Sequence, residues 1–233
     1  MSNEQGHLNS TIMEARDLKK SFFLHGKEIV VFQNLSFSFS KSKVTLITGR
    51  SGVGKSTLLG LLGGLDRQTS GSILFEGTPL EGLSNAELAI LRRQKIGIIF
   101  QNFNLLTSWT AAENVEAVLM HTGIDPTLRR EKVTGLLKEL GLENRLENLP
   151  SELSVGQQQR VAIARTLANE PMLILADEPT GDVDSETAQE IIEKLMMPVR
   201  QKGASLIVAT HGTFPEKYAD QIYVLKDGQL TKR

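Results

Sequence analysis

The sequence predicts an α/β fold with a parallel-rich main sheet, an antiparallel β layer beside it and an inserted helical subdomain. Three observations predict it. Short apolar runs at 44–48, 172–177 and 205–210 read as strands buried on both faces. Segments opened by helix-capping residues alternate with them, as parallel sheets with crossovers require. Leu35-Ser36-Phe37-Ser38-Phe39-Ser40 alternates strictly, which fits a half-buried strand outside that sheet.

In chain order, residues 1–10 form a polar tail without the apolar core of a leader. Strands follow at 11–18, 28–32, 35–40 and 72–75. Phe22 and Phe23 fall between the first two strands; they read equally as core or as one ring that stacks on a base. A helix runs from Ser56 to Leu65. Ser84-x-x-Glu87 and Thr110-x-x-Glu113 are capping boxes that start helices, the first through Arg93 and the second toward Leu119. Between them lies a β-branched strand from Lys95 to Gln101. Asp125-Pro126 gives an N-cap with proline at N1, and Gly141 closes that helix, with Leu128, Val133, Leu136, Leu137 and Leu140 as its buried stripe. Ser154 caps a helix to about Ala168. Helix 185–202, strand 205–210 and a hairpin turning at Asp227-Gly228 complete the chain.

The chain has 233 residues, 40% of them hydrophobic, and a formal net charge of −1, which suits one domain and argues against a strongly basic nucleic-acid binder. With no cysteine, disulfides and thiolate metal sites are excluded. No run approaches the roughly 20 apolar residues that span a bilayer, so any membrane role is expected to use a partner.

The chemistry centres on Gly49, Arg50, Ser51, Gly52, Val53, Gly54, Lys55, Ser56 and Thr57, which read G-x-x-x-x-G-K-S between a strand and a helix. That is a phosphate-binding loop: backbone N–H groups curl around an anion, Lys55 supplies charge to the β- and γ-phosphates, and the Ser56 hydroxyl is a hard ligand for Mg²⁺. Asp177 and Glu178 end an apolar strand, where ligands of α/β sheets bind. Asp177 can hold Mg²⁺ through its water shell, and Glu178 can polarise a water for attack on the γ-phosphate. Gln101 and His211 also end strands. A glutamine or histidine in such a place can contact a metal or a phosphate, but either by itself is more often an ordinary boundary side chain.

With Leu153-Ser154-Val155-Gly156-Gln157 added, the chain resembles the ATP-binding cassette family, whose signature is L-S-G-G-Q. The resemblance runs from about residue 11 to 231 and takes in the P-loop, the Q-loop Gln101, the signature, the acidic pair Asp177–Glu178, the D-loop at 181–184 and the switch His211. The stretches 96–106, 110–115 and 176–181 look like the branch of lipoprotein-release, macrolide-efflux and cell-division ATPases.

The resemblance implies a P-loop NTPase core forming one nucleotide-binding domain over 11–233, with a helical subdomain at about 102–165. It implies an ATPase with Glu178 as catalytic base, assisted by His211 and Gln101, and Mg²⁺ held by Ser56, Gln101 and Asp177. Adenine would stack on Phe22. Two ATPs would lie between two cassettes head to tail, with Ser154, Gly156, Gln157 and Asp184 reaching the ATP of the opposite copy. A separate membrane permease would be driven from the cytoplasmic face, received on the surface after Gln101 that holds Phe103 and Trp109. A regulator of a cell-wall complex without transport is the alternative. No nucleic-acid partner is implied.

Three departures stand out: Val155 replaces the first signature glycine, Phe22 stands where tyrosine is common, and Gly212 follows His211 where aspartate is common.

Overall fold

The computed structural model describes residues 10–120 and 122–233. The tail expected over residues 1–10 therefore lies, except for Ser10, outside the described residues. Two sheets pack together over one of two hydrophobic cores. The main sheet has the order β10-β9-β3-β8-β7-β6. Its strands are β3 Val44–Thr48, β6 Ile96–Ile99, β7 Leu173–Asp177, β8 Ser205–Thr210, β9 Gln221–Lys226 and β10 Gln229–Lys232. All neighbours pair in parallel except β9 and β10, which form the expected terminal hairpin.

Both faces of this sheet are buried, and the two-residue period of a strand divides its side chains between two cores. Ile47, Leu173, Leu175, Ile207 and Ala209 face one core, together with α1 (Lys55–Leu62) and the antiparallel layer. Val44, Leu46, Ile174, Ala176, Leu206 and Val208 face the other. That second core is closed by α3 Ala111–Glu116, α4 Pro126–Glu139, α5 Val155–Leu167 and α6 Ser185–Lys202.

The antiparallel layer has the order β2-β1-β4-β5, with β1 Thr11–Leu24, β2 Lys27–Ser40, β4 Ser70–Phe75 and β5 Thr78–Pro79. Phe39 packs edge-on against Tyr223 of the main sheet, with ring centroids 5.1 Å apart, and so joins the layers. The sequence reading ended β1 at Leu18 and split β2 into two pieces. The structure keeps each as one bulged strand, with the pairing shifting near Asp17 and Asn34, both at positive φ. Bulges absorb an extra residue without ending a strand, so a period-2 reading stops where the chain continues. Phe22 and Phe23 thus lie inside β1, not between strands, and both are exposed rather than core.

The helices predicted from capping boxes at Ser84 and Thr110 and from a cap at Ser154 all form, and the structure shows the Ser154 cap to be a capping box as well, each with both reciprocal bonds in place; the first helix is α2, Asn85–Gln94. α4 starts at Pro126 with Asp125 as its cap. Leu128, placed in its buried stripe by periodicity, is instead 59% exposed. It sits in the first turn of α4, away from the Val133 and Leu137 positions that meet the core. Two boundaries also move: α1 ends at Leu62, before Gly63 and Gly64, and β6 ends at Ile99, so Gln101 lies in the turn beyond the strand. Among the described residues no helix is long and apolar enough to cross a membrane.

Candidate nucleotide site

Parallel pairing places the carboxyl ends of β3, β6, β7 and β8 on one edge of the sheet. There β3 opens into residues 49–54, β7 into Glu178, and β8 into His211, while Gln101 follows the neighbouring β6. The cross-strand partners Thr48↔Thr210 and Asp177↔Ala209 fix how close these ends come.

α1 begins at Lys55 with Gly54 as its N-cap, and no side chain caps it and no acid lies in its first turn. The first N–H groups of a helix need partners, so this end is open to an anion. Only glycine suits position 54. Its φ is 102°, and a Cβ there would stand 2.6 Å from Val31 Cγ1. Lys55 is buried and folds back over the loop: its Nζ donates to Gly49 O at 2.8 Å and Arg50 O at 3.2 Å. These are the donors a bound phosphate would compete for.

Glu178 is the convergence point. Its Oε1 lies 2.8 Å from His211 Nδ1 and 3.6 Å from Lys55 Nζ. Its Oε2 is buried without a hydrogen-bond partner. Its backbone is in the left-handed region, φ 46°, held by its N–H donating to Ala209 O and its own carbonyl accepting from Gly181 N. A non-glycine residue in that conformation costs free energy, so the surrounding bonds aim this carboxylate. The Asp177 Oδ1 is likewise buried without a partner. Burial pushes the Asp177 carboxyl above its ordinary value; the Ser56 hydroxyl pulls it back, Glu178 pushes it up again, and Lys55 pulls it down. An under-coordinated carboxylate oxygen next to a serine hydroxyl is a donor set that fits a hard cation such as Mg²⁺.

His211 is held from below by Thr210. The buried Thr210 hydroxyl accepts from the N–H groups of Gly212 and Thr213, each at 3.2 Å. Gly212 has φ 128°, so the aspartate common after a switch histidine would be strained here, and glycine follows from the backbone. Gln101 is exposed in its turn, close along the chain to Phe103 and Asn104, which both have positive φ. The Arg165 guanidinium of α5 holds that turn by donating to both carbonyls, at 2.6 Å each, and burial lowers its pKa.

The signature lies apart from this cluster. The capping box of α5 is closed by the Ser154 hydroxyl accepting from the Gln157 backbone N–H and by Gln157 Oε1 accepting from the Ser154 backbone N–H. Val155 is the first residue of the helix and is 47% exposed. A Cβ on Gly156 would meet Thr187 Cγ2 at 3.1 Å, so glycine lets the start of α5 lie close against α6. Asp184 caps α6 through Glu186 N and Thr187 N. Ser154 and Asp184 are both exposed.

Phe22 stands on the hairpin of β1 and β2, 43% exposed, opposite Ile29. Sequence reasoning missed Lys20, Thr210 and Arg165. Thr210-x-x-Thr213 carried a turn-capping signal; the other two are cations that act on backbone carbonyls distant in sequence.

A family model described as ABC transporter matches residues 32–181. An uncharacterized ABC transporter ATP-binding protein of Thermotoga maritima is 42% identical over 219 residues, covering 94% of this chain and 93% of that one. The ABC transporter ATP-binding protein YtrE of Bacillus subtilis is 43% identical over 203 residues, 87% of this chain and 88% of its own. The macrolide export ATP-binding/permease protein MacB of Vibrio parahaemolyticus is 39% identical over 96% of this chain, which spans only 34% of that longer protein. Among solved structures, the dimeric post-hydrolysis state of the ATP-binding cassette MJ0796 bound to ADP and Pi superposes with TM-score 0.90 at 35% identity, covering 95% of this chain and 97% of that one.

Proposed function

The chain belongs to the ABC transporter family, as an ATP-binding and ATP-hydrolysing subunit, and from that premise we propose how its residues divide the work. The N–H groups of residues 49–57 and the Lys55 ammonium take the β- and γ-phosphates, and Lys55 exchanges its carbonyl partners for phosphate oxygens. Phe22 carries the adenine on its exposed ring. Glu178 accepts a proton from water as the water oxygen bonds to the γ-phosphorus and the bond to the bridging oxygen breaks, releasing ADP and phosphate. His211 orients that carboxylate and the γ-phosphate. Mg²⁺, when bound, neutralises charge on the phosphate oxygens, with Ser56, Asp177 and Gln101 as its ligands.

A second copy of the chain completes the site by offering Ser154, Gly156, Gln157 and Asp184 across a head-to-tail interface. The exposure of Ser154 and Asp184, and the dimeric state named for MJ0796, support this reading. Closing that dimer drives a membrane permease from its cytoplasmic face, met by the helical subdomain at about 102–165, with Phe103 and Trp109 on the receiving surface. The single observation that carries the catalytic assignment is the Glu178 carboxylate: one oxygen faces both His211 and Lys55, and the other is buried and unpartnered.

The experiment is Lys55→Ala. It should weaken ATP binding and abolish phosphate release in folded protein. Wild-type turnover would remove this loop from the active site.

A further inference from the structure

Two residues before Phe22, a buried cation sits over its ring. The Lys20 side chain is 8% exposed, and its Nζ stands 4.5 Å from the Phe22 ring centroid. The same Nζ lies 2.6 Å from Asp66 Oδ2 and donates to Arg67 O at 2.8 Å. Asp66 and Arg67 belong to the segment that leaves α1, the helix whose first residue is Lys55. One ammonium thus touches the aromatic ring and the chain that carries the phosphate loop's helix.

We propose that Lys20 is a positioning residue for the nucleotide base: it fixes the Phe22 ring from one face and ties that ring to the phosphate end of the site. This rests on the reading of Phe22 as the base platform. Phe22 is the exposed member of the pair, with only half-exposed Ile29 across the strand, so little packing holds its rotamer. A cation over one face restrains the ring through its quadrupole and leaves the other face for a base. It also draws π density toward itself, which favours stacking of an electron-rich purine on the far side. Holding the segment is a task that other bonds already perform. Thr69 N donates to Lys19 O at 2.8 Å, and Ser21 N donates to Thr69 Oγ1 at 3.0 Å. The cation adds the ring.

The test compares two ligands, ATP and inorganic triphosphate, which lacks the base. Lys20→Met keeps the aliphatic stem and removes the charge. It should weaken ATP binding about five- to tenfold while triphosphate affinity stays within about twofold. Lys20→Arg should restore ATP affinity, and Lys20→Met should add no further loss in a Phe22→Ala background. Equal losses for both ligands would show a merely structural lysine and overturn the proposal, as would no loss for either. If Lys20→Met does not fold, Asp66→Asn makes the same comparison: a loss confined to ATP supports the proposal, and an equal loss or none overturns it. Wild-type ATP affinity in Phe22→Ala would overturn the base-platform reading itself, and the proposal with it. An ATP loss in Phe22→Ala without one in Lys20→Met would overturn the proposal alone.

Discussion

Replacing Glu178 by glutamine separates the chemistry of this site from its architecture. The amide keeps the side chain's shape, and its oxygen can still accept from His211 at the 2.8 Å position. Lys55 loses the charge 3.6 Å away but retains Gly49 O at 2.8 Å and Arg50 O at 3.2 Å. The stability cost is therefore the difference between charged and neutral hydrogen bonding at a buried group, about 1–2 kcal/mol. The catalytic cost is larger. An amide cannot take the proton from water, and loss of a general base slows hydrolysis by about 10²- to 10⁴-fold, or about 3–5 kcal/mol of barrier. ATP affinity should stay within about threefold, because the phosphate loop is untouched and one like charge near the γ-phosphate is gone. Phosphate release, equilibrium ATP binding and thermal melts on the same preparations measure the three quantities. Sizing chromatography with Mg-ATP should show accumulated dimer. Turnover within about threefold of wild type would refute Glu178 as the base, whatever the melting temperature.

Further predictions concern other residues. Val155→Gly replaces a half-exposed side chain at the first position of α5, so it should cost only about 0.5 kcal/mol of stability. By easing close approach of the helix end, it should raise the ATPase rate at low protein concentration, a gain that fades as concentration rises. Equal rates at every concentration would leave Val155 neutral. Asp177→Asn removes a carboxylate whose folded pKa is raised, a group that costs stability as pH rises from its ordinary range through the folded value. At neutral pH without nucleotide the variant should melt higher than the parent chain, yet fail to hydrolyse ATP. A lower melting point would contradict the desolvation account. Glu170, bonded by Lys202 and Lys132, is held down at about 2, so its stabilisation is present above the ordinary carboxylate value and is lost as pH falls toward 2. Its side chain is 50% exposed, and solvent screening limits Glu170→Gln to about 1 kcal/mol at pH 7. Melting curves of the two proteins should converge near pH 2–3, and a gap that persists there would refute the assignment.

Most of the scaffold was legible because its signals are local. Ser84 and Thr110 each announce a helix three residues before the glutamate that completes the box, Ser154 announces one as a cap, and all three helices form. The strands at 44–48 and 205–210 are mostly apolar because both faces are covered. What was not legible depends on contacts between distant residues. Asn34 reads as a break between two strands because a bulge has the residue chemistry of a turn, and the bulge at Asp17 lies unannounced inside the predicted strand 11–18. Leu128 fits the stripe of α4 by spacing, but spacing does not say which turn of a helix reaches a neighbour. Lys20 looked like any polar strand residue; nothing in its surroundings along the chain points to Asp66 or Arg67.

Several residues that fail local rules lie where the sequence motifs meet, in addition to those in bulges and turns elsewhere. Glu178 and the Phe103–Asn104 pair have positive φ without being glycine. Asp177 and Glu178 each keep a buried oxygen unpartnered, and Lys55 spends its charge on two backbone carbonyls. A chain selected only for stability would relieve each of these. An Asn at 177 would remove a desolvated charge. All of these unmet demands lie at the carboxyl ends of the parallel strands or at the helix start beside them. All are met at once by one kind of ligand: a polyanion that takes the free N–H groups and Lys55, carried with a hard cation for Asp177 and a water for Glu178. The unpartnered oxygens and the uncapped helix start are thus themselves a reading of the ligand they suit.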